Sequence, residues 1–64
     1  MIKVKTFTSP LKIFHVKIEL EELDMRVNRF IEENNVNKIY SVSDACTTDE
    51  NGTTIGIIRV IAYE

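Results

Sequence analysis

The sequence predicts a small α+β domain. A short antiparallel sheet, built from a C-terminal hairpin and one or two N-terminal strands, packs on one amphipathic helix, and a second copy of the chain completes the burial. Three observations predict this. Asn51-Gly52 lies between two β-prone runs, Lys38–Cys46 and Ile55–Tyr63, and Asn-Gly is the strongest short-range hairpin signal because both residues tolerate positive φ. Leu20, Leu23, Val27, Phe30 and Ile31 recur at helical spacing over Glu19–Asn34, which gives an apolar stripe on one face. Finally, Ile55–Tyr63 is apolar on both sides: Ile57 and Ile61 point one way, Ile58 and Val60 the other. Such a strand is normally covered on both faces, and one helix covers only one of them.

Length sharpens the third observation. The chain has 64 residues, one domain spanning 1–64. A domain of this size buries only about 60% of the surface its unfolded chain exposes. With Cys46 as the single cysteine, neither an intrachain disulfide nor a cysteine-based zinc site can compensate. Association is the remaining support, so the chain is expected to be its own partner in a homodimer. One free thiol fits a reducing cytosol, and a cytoplasmic location is expected.

Taken in order, Met1–Thr8 reads as a strand, with Ile2 and Val4 alternating with Lys3 and Lys5. Ser9-Pro10 is its stop, since proline cannot donate to a ladder. Leu11–Ile18 is ambiguous. Ser9 as N-cap and Pro10 at the first helical position would start a helix, but Ile13, Phe14, Val16 and Ile18 are β-prone. A helix over 10–34 would also run about 37 Å, longer than a short hairpin. A second strand over 11–17 is the expectation. The helix over Glu19–Asn34 then places Glu19, Glu21, Glu22 and Asp24 near its positive end, and Asn34-Asn35 ends it because Asn tolerates the left-handed conformation.

A two-residue turn at Asn51-Gly52 fixes the hairpin register. It sets Tyr40 opposite Tyr63, Val42 opposite Ile61, Asp44 opposite Arg59 and Cys46 opposite Ile57. Ile39, Ser41, Ser43, Ala45, Ile58, Val60 and Ala62 fall on the other face. A three-residue loop ending at Gly52 would shift this register by one. The first of these faces supplies the expected dimer or partner interface: Tyr40, Val42, Ile57, Arg59, Ile61 and Tyr63.

Composition argues against several function classes. The net charge is −2. Lys3, Lys5, Lys12 and Lys17 make the first segment basic, while the acidic residues gather in the helix and after it. The opening residues show no apolar leader core, and the longest apolar run is too short to cross a bilayer, so no membrane partner is expected. His15 is the only histidine, Gly52 and Gly56 are the only glycines, and Glu21-Glu22 and Glu32-Glu33 fall on a solvated helix face. No catalytic, cofactor-binding or metal-binding residue is therefore assigned, and the chain is read as not an enzyme. Nucleic-acid binding ranks below protein binding. The four lysines and the aromatics Phe7, Phe14, Tyr40 and Tyr63 speak for it; the negative net charge and the lack of an arginine cluster speak against it.

Val27-Asn28-Arg29-Phe30-Ile31, Asn34-Asn35-Val36, Ile39-Tyr40-Ser41-Val42-Ser43, Asn51-Gly52 and Ala62-Tyr63-Glu64 together resemble a family of very small sporulation-associated proteins of Bacillus-type bacteria and their phage-borne relatives. Its members open with a strand similar to Met1–Phe7, continue into a charged helix and close with a hairpin. Ser9–Lys17 departs from that pattern as an extra segment. Alignment backwards from the helix instead sets Leu11–Val16 where the family's first strand sits and leaves Met1–Thr8 as an added arm. In size and layout the chain also resembles the small phage proteins that block the bacterial Hachiman defence system, which are thought to be homodimers. The resemblance implies no catalytic residues or cofactors. It implies a homodimeric binding module that inhibits a bacterial immune system or, alternatively, a sporulation-associated host protein with a protein partner.

Overall fold

The computed structural model describes residues 1–12 and 14–64. It contains β1 (Lys3–Pro10), α1 (Val16–Glu33), β2 (Ile39–Thr48) and β3 (Thr54–Tyr63). The strands form one antiparallel sheet in the order β1-β3-β2, so the doubly apolar β3 is central. This is the small α+β architecture that the sequence predicts, with one N-terminal strand rather than two.

The second strand expected over 11–17 is a correction. The Leu11 amide donates to the Ile55 carbonyl (2.9 Å), a last contact with β3 after Pro10. Phe14 and His15 then form a turn, and α1 begins at Val16; Ile13 lies outside the described residues. Ser9-Pro10 does not stop β1 either, because Pro10 pairs opposite Gly56 at the end of an edge strand, a place where its missing N–H costs nothing. The physical reason for the helix is length matching. Eight residues of β1 run about 26 Å, and 18 residues of α1 run about 27 Å, so the helix returns along the sheet without overshoot.

The helix N-terminus has no side-chain cap at His15. Instead, Glu19 reaches back to accept the Lys12 amide at 2.7 Å. With the start at Val16, Glu19 is the only acid in the first turn. At the other end Asn35 takes φ 49°. The Val36 amide donates to the Ile31 carbonyl at 3.1 Å and the Asn35 amide to the Glu32 carbonyl at 3.4 Å, a Schellman closure of the last turn.

The hairpin reaches its register by a different route from the one expected. Asp49 and Thr53 close a three-residue loop (Asp49 amide to Thr53 carbonyl, 2.9 Å), and the Gly52 amide donates to the Asp49 carbonyl (3.1 Å). Gly52 alone in the loop has positive φ, +80°. This is a type I turn followed by a left-handed residue. It is favoured here because the Asp49 carboxylate accepts the amides of Asn51 and Thr53, each at 2.9 Å. The loop does shift Thr48 opposite Thr54, but Ile55 then bulges, and Thr47 pairs with Gly56. Val42–Ile61, Asp44–Arg59 and Cys46–Ile57 therefore pair as predicted. A second bulge at Tyr40 sets Ile39, not Tyr40, opposite Tyr63.

The core lies between α1 and the β1–β3 side of the sheet. Phe7, Leu23, Val27, Ile57 and Ile61 are buried, with Leu11, Leu20, Phe30, Ile31 and Tyr63 packed around them. Burial of each such side chain contributes roughly 1.5–3 kcal/mol. Phe30 contacts Phe7 edge-on at 5.8 Å and Tyr63 at 5.2 Å, joining β1, α1 and β3.

Candidate interaction surfaces

Paired residues on neighbouring strands share a face, so the two ladders sort the sheet into two surfaces. On the helix side, successive rows are Lys3–Tyr63–Ile39, Lys5–Ile61–Val42, Phe7–Arg59–Asp44 and Ser9–Ile57–Cys46. On the open side they are Val4–Ala62–Ser41, Thr6–Val60–Ser43, Thr8–Ile58–Ala45 and Pro10–Gly56–Thr47. Every charged residue of these rows is on the helix side, and the open side has none. Val4 is 69% exposed there, and Ile58, Val60 and Ala62 are half-buried. Gly56 keeps the last row flat: a Cβ on it would lie 2.8 Å from Thr47 Oγ1 and 3.2 Å from the Ser9 carbonyl oxygen.

This corrects the interface expected from the sequence. Ile57 and Ile61 are in the core beneath the protomer's own helix. Tyr63 is half-buried against Phe30. Arg59 is 15% exposed; its Nε and Nη2 donate to the Asp44 carboxylate at 2.8 and 3.0 Å, and Nη1 donates to Asp24. Only Tyr40 and Val42 of the six remain on the surface. The helix took the face that had been assigned to a second copy. Ser41, Ser43, Ala45, Ile58, Val60 and Ala62, which the hairpin places on the open face, carry no charge. β1 adds Val4, Thr6 and Thr8 to that face, and β1's register is not written in its own residues.

The alternation in β1 is inverted relative to a simple amphipathic strand. Val4 faces away from α1, while Lys5 lies on the helix side with its Nζ 5.9 and 5.8 Å from the Phe7 and Phe30 ring centroids. Its stem covers apolar surface and its ammonium faces the rings. Phe7, one of the aromatics weighed for base stacking, is buried and offers no ring face to a base.

α1 leaves the outer part of β2 bare. Val42, Asp44 and Cys46 are exposed on the helix side, and a groove of about 270 Å³ runs between α1 and β2, lined by Asp24, Val27, Asn28, Ile31, Val42 and Arg59. Hydrogen bonding to Arg59 holds the Asp44 carboxyl below its ordinary range, and the same bonds, first to Asp44 and then to Asp24, raise Arg59 further. Tyr40 donates its hydroxyl to Glu64, which raises the phenol, and Lys38 Nζ lies 4.9 Å from its ring centroid. Among the described residues no cluster of His, Cys, Asp and Glu is arranged to hold a metal ion, and no helix is long and apolar enough to cross a membrane. Comparison with protein-family models, curated proteins and solved structures gives no match.

Proposed function

We propose that this chain is a non-enzymatic protein-binding module that works as a homodimer, two copies packing sheet against sheet through the open face. The observation that carries this reading is the absence of any charged side chain from the four open-face rows in a chain whose residues are 28% charged. Charge depletion marks the centre of an interface. The dimensions agree. The radius of gyration is 13.1 Å, against about 11 Å for a compact chain of this length. The accessible surface is 4871 Å², against about 4200 Å² for a monomer of this mass. A core of five buried side chains needs this cover whenever the chain is folded, and a second copy is the partner always present. The face also meets itself without like-charge repulsion.

The family resemblance supports the further step. The dimer is an inhibitor carried by a phage, acts in the cytoplasm of the infected cell, and binds a component of a Hachiman-type defence system. Sedimentation velocity tests the dimer: twice the 7.4 kDa chain mass is expected at micromolar concentration, and a monomer at high micromolar concentration removes the reading. Co-expression with a Hachiman system tests the target. Restored phage plating is expected; unchanged restriction removes the immune target and favours the sporulation-associated alternative.

A further inference from the structure

We infer that the free edge of β2 and the groove beside it take an extended segment of another protein as a fourth strand, one that carries an apolar side chain and, two residues along, a basic one. This rests on the binding-module reading but uses a different surface from the open face that joins the two copies.

The two edges of the sheet differ in protection. β1 carries Lys3, Lys5 and Pro10, residue types that block pairing with a further strand. β2 runs IYSVSDACTT over Ile39–Thr48, with no lysine and no proline. Its one charged residue, Asp44, is exposed on the helix side and bonded to Arg59 of β3. Apart from half-buried Thr47, every residue of β2 is exposed. Beyond the Tyr40 bulge, Ser41–Thr48 is an unguarded edge and a template for strand addition.

The groove specifies the added strand. Its walls of Val27, Ile31 and Val42 are apolar, and its volume of about 270 Å³ admits an aliphatic side chain from a strand laid along β2. At its mouth one guanidinium, Arg59, lies between the carboxylates of Asp24 and Asp44, so the group as a whole carries one net negative charge. Side chains two apart on a strand emerge on the same face about 6.6 Å apart, and Val42 and Asp44 repeat that spacing on β2. An added strand that sets an apolar residue beside Val42 therefore sets the residue two along beside Asp44, where a lysine or arginine is complementary.

The probe is a capped seven-residue peptide in which leucine and lysine alternate with threonine, titrated into isotope-labelled full-length protein. Expected are shifts and slowed hydrogen exchange of β2 amides, shifts of the Val42 and Ile31 methyls, and at least tenfold weaker binding when glutamate replaces the lysine. Val42→Lys should abolish these shifts while leaving the sedimenting mass unchanged, because Val42 is 56% exposed and lies off the open face. Shifts confined to other elements, no shifts at millimolar peptide, or β2 edge amides already protected in the free protein, as they would be if a second copy filled the edge, each overturn the inference. The sedimenting mass tells failure of the edge from failure of the dimer.

Discussion

On the helix side of β3, Ile57 and Ile61 are 9% and 0% exposed, and Arg59 among them is tied to two carboxylates. On the open side of the same strand Ile58, Val60 and Ala62 are only half-covered, although their rows contain no charge. Within these four rows charge is thus tolerated on the covered face and missing from the uncovered one, and the open side becomes charged only beyond them, at the Lys38–Glu64 pair. The helix-side charges sit at the margins of α1, where Lys5 and Asp44 reach water and Arg59 reaches its partners. The open face has the composition of a surface that meets another surface directly. Intrachain packing tolerates a satisfied ion pair at its rim, whereas a flat sheet-on-sheet contact about 10 Å thick has no route by which a charged head could reach water.

Truncation should separate the two faces most widely. Leu23→Ala empties the centre of the helix-side core and should cost about 2–5 kcal/mol, read from urea denaturation, at every protein concentration. Val60→Asp introduces a charge at the centre of the open face and should weaken dimerisation tenfold or more. Its midpoint should then lose the concentration dependence that an associating protein shows. Equal losses from Val60→Asp at nanomolar and at high micromolar protein would break the comparison.

Gly56→Ala acts at the end of the open face, where the added methyl meets Thr47 Oγ1 and the Ser9 carbonyl oxygen. A loss of about 1–3 kcal/mol is expected, with part of it regained in the Gly56→Ala/Thr47→Ala double variant, which removes the nearer obstacle. The helix-side ion pair should matter least. Because the folded chain lowers the Asp44 carboxyl, the pair contributes stability above the ordinary carboxylate range near pH 4 and loses it as pH falls through the lower folded value. For so exposed a carboxylate the effect should be a few tenths of a kcal/mol. Asp44→Asn should flatten that part of the acid-unfolding profile, and added salt should flatten it in the wild type. An unchanged profile in Asp44→Asn would show that the pair does not contribute.

Several elements were legible in the residues because their causes are local. The stripe of Leu20, Leu23, Val27, Phe30 and Ile31 fixed the buried side of α1, and Asn35 supplied the left-handed residue at its end, while Val42–Ile61 and Asp44–Arg59 paired as expected but by another route than the expected turn. The expected strand over 11–17 failed because β-prone residues make a strand only if a sheet edge receives them. With β1 already on β3, the short connection after Pro10 instead had to turn the chain back over the sheet. The turn failed as a two-residue loop because the Asp49 carboxylate satisfies two amides in the three-residue form, and the Ile55 bulge then restores the register that such a loop disturbs.

Periodicity and turn residues by themselves determined the types of the three strands and of α1 from Glu19 onward, the buried stripe of α1, the central hairpin pairs and the presence of one strand apolar on both sides. Only the tertiary structure decided which side of β3 the helix takes, where β1 falls in register, and which edge and which face are left over. Spacing along a chain records that two faces exist, but the choice between them depends on contacts between residues far apart in sequence, here Phe7 and Tyr63 converging on Phe30.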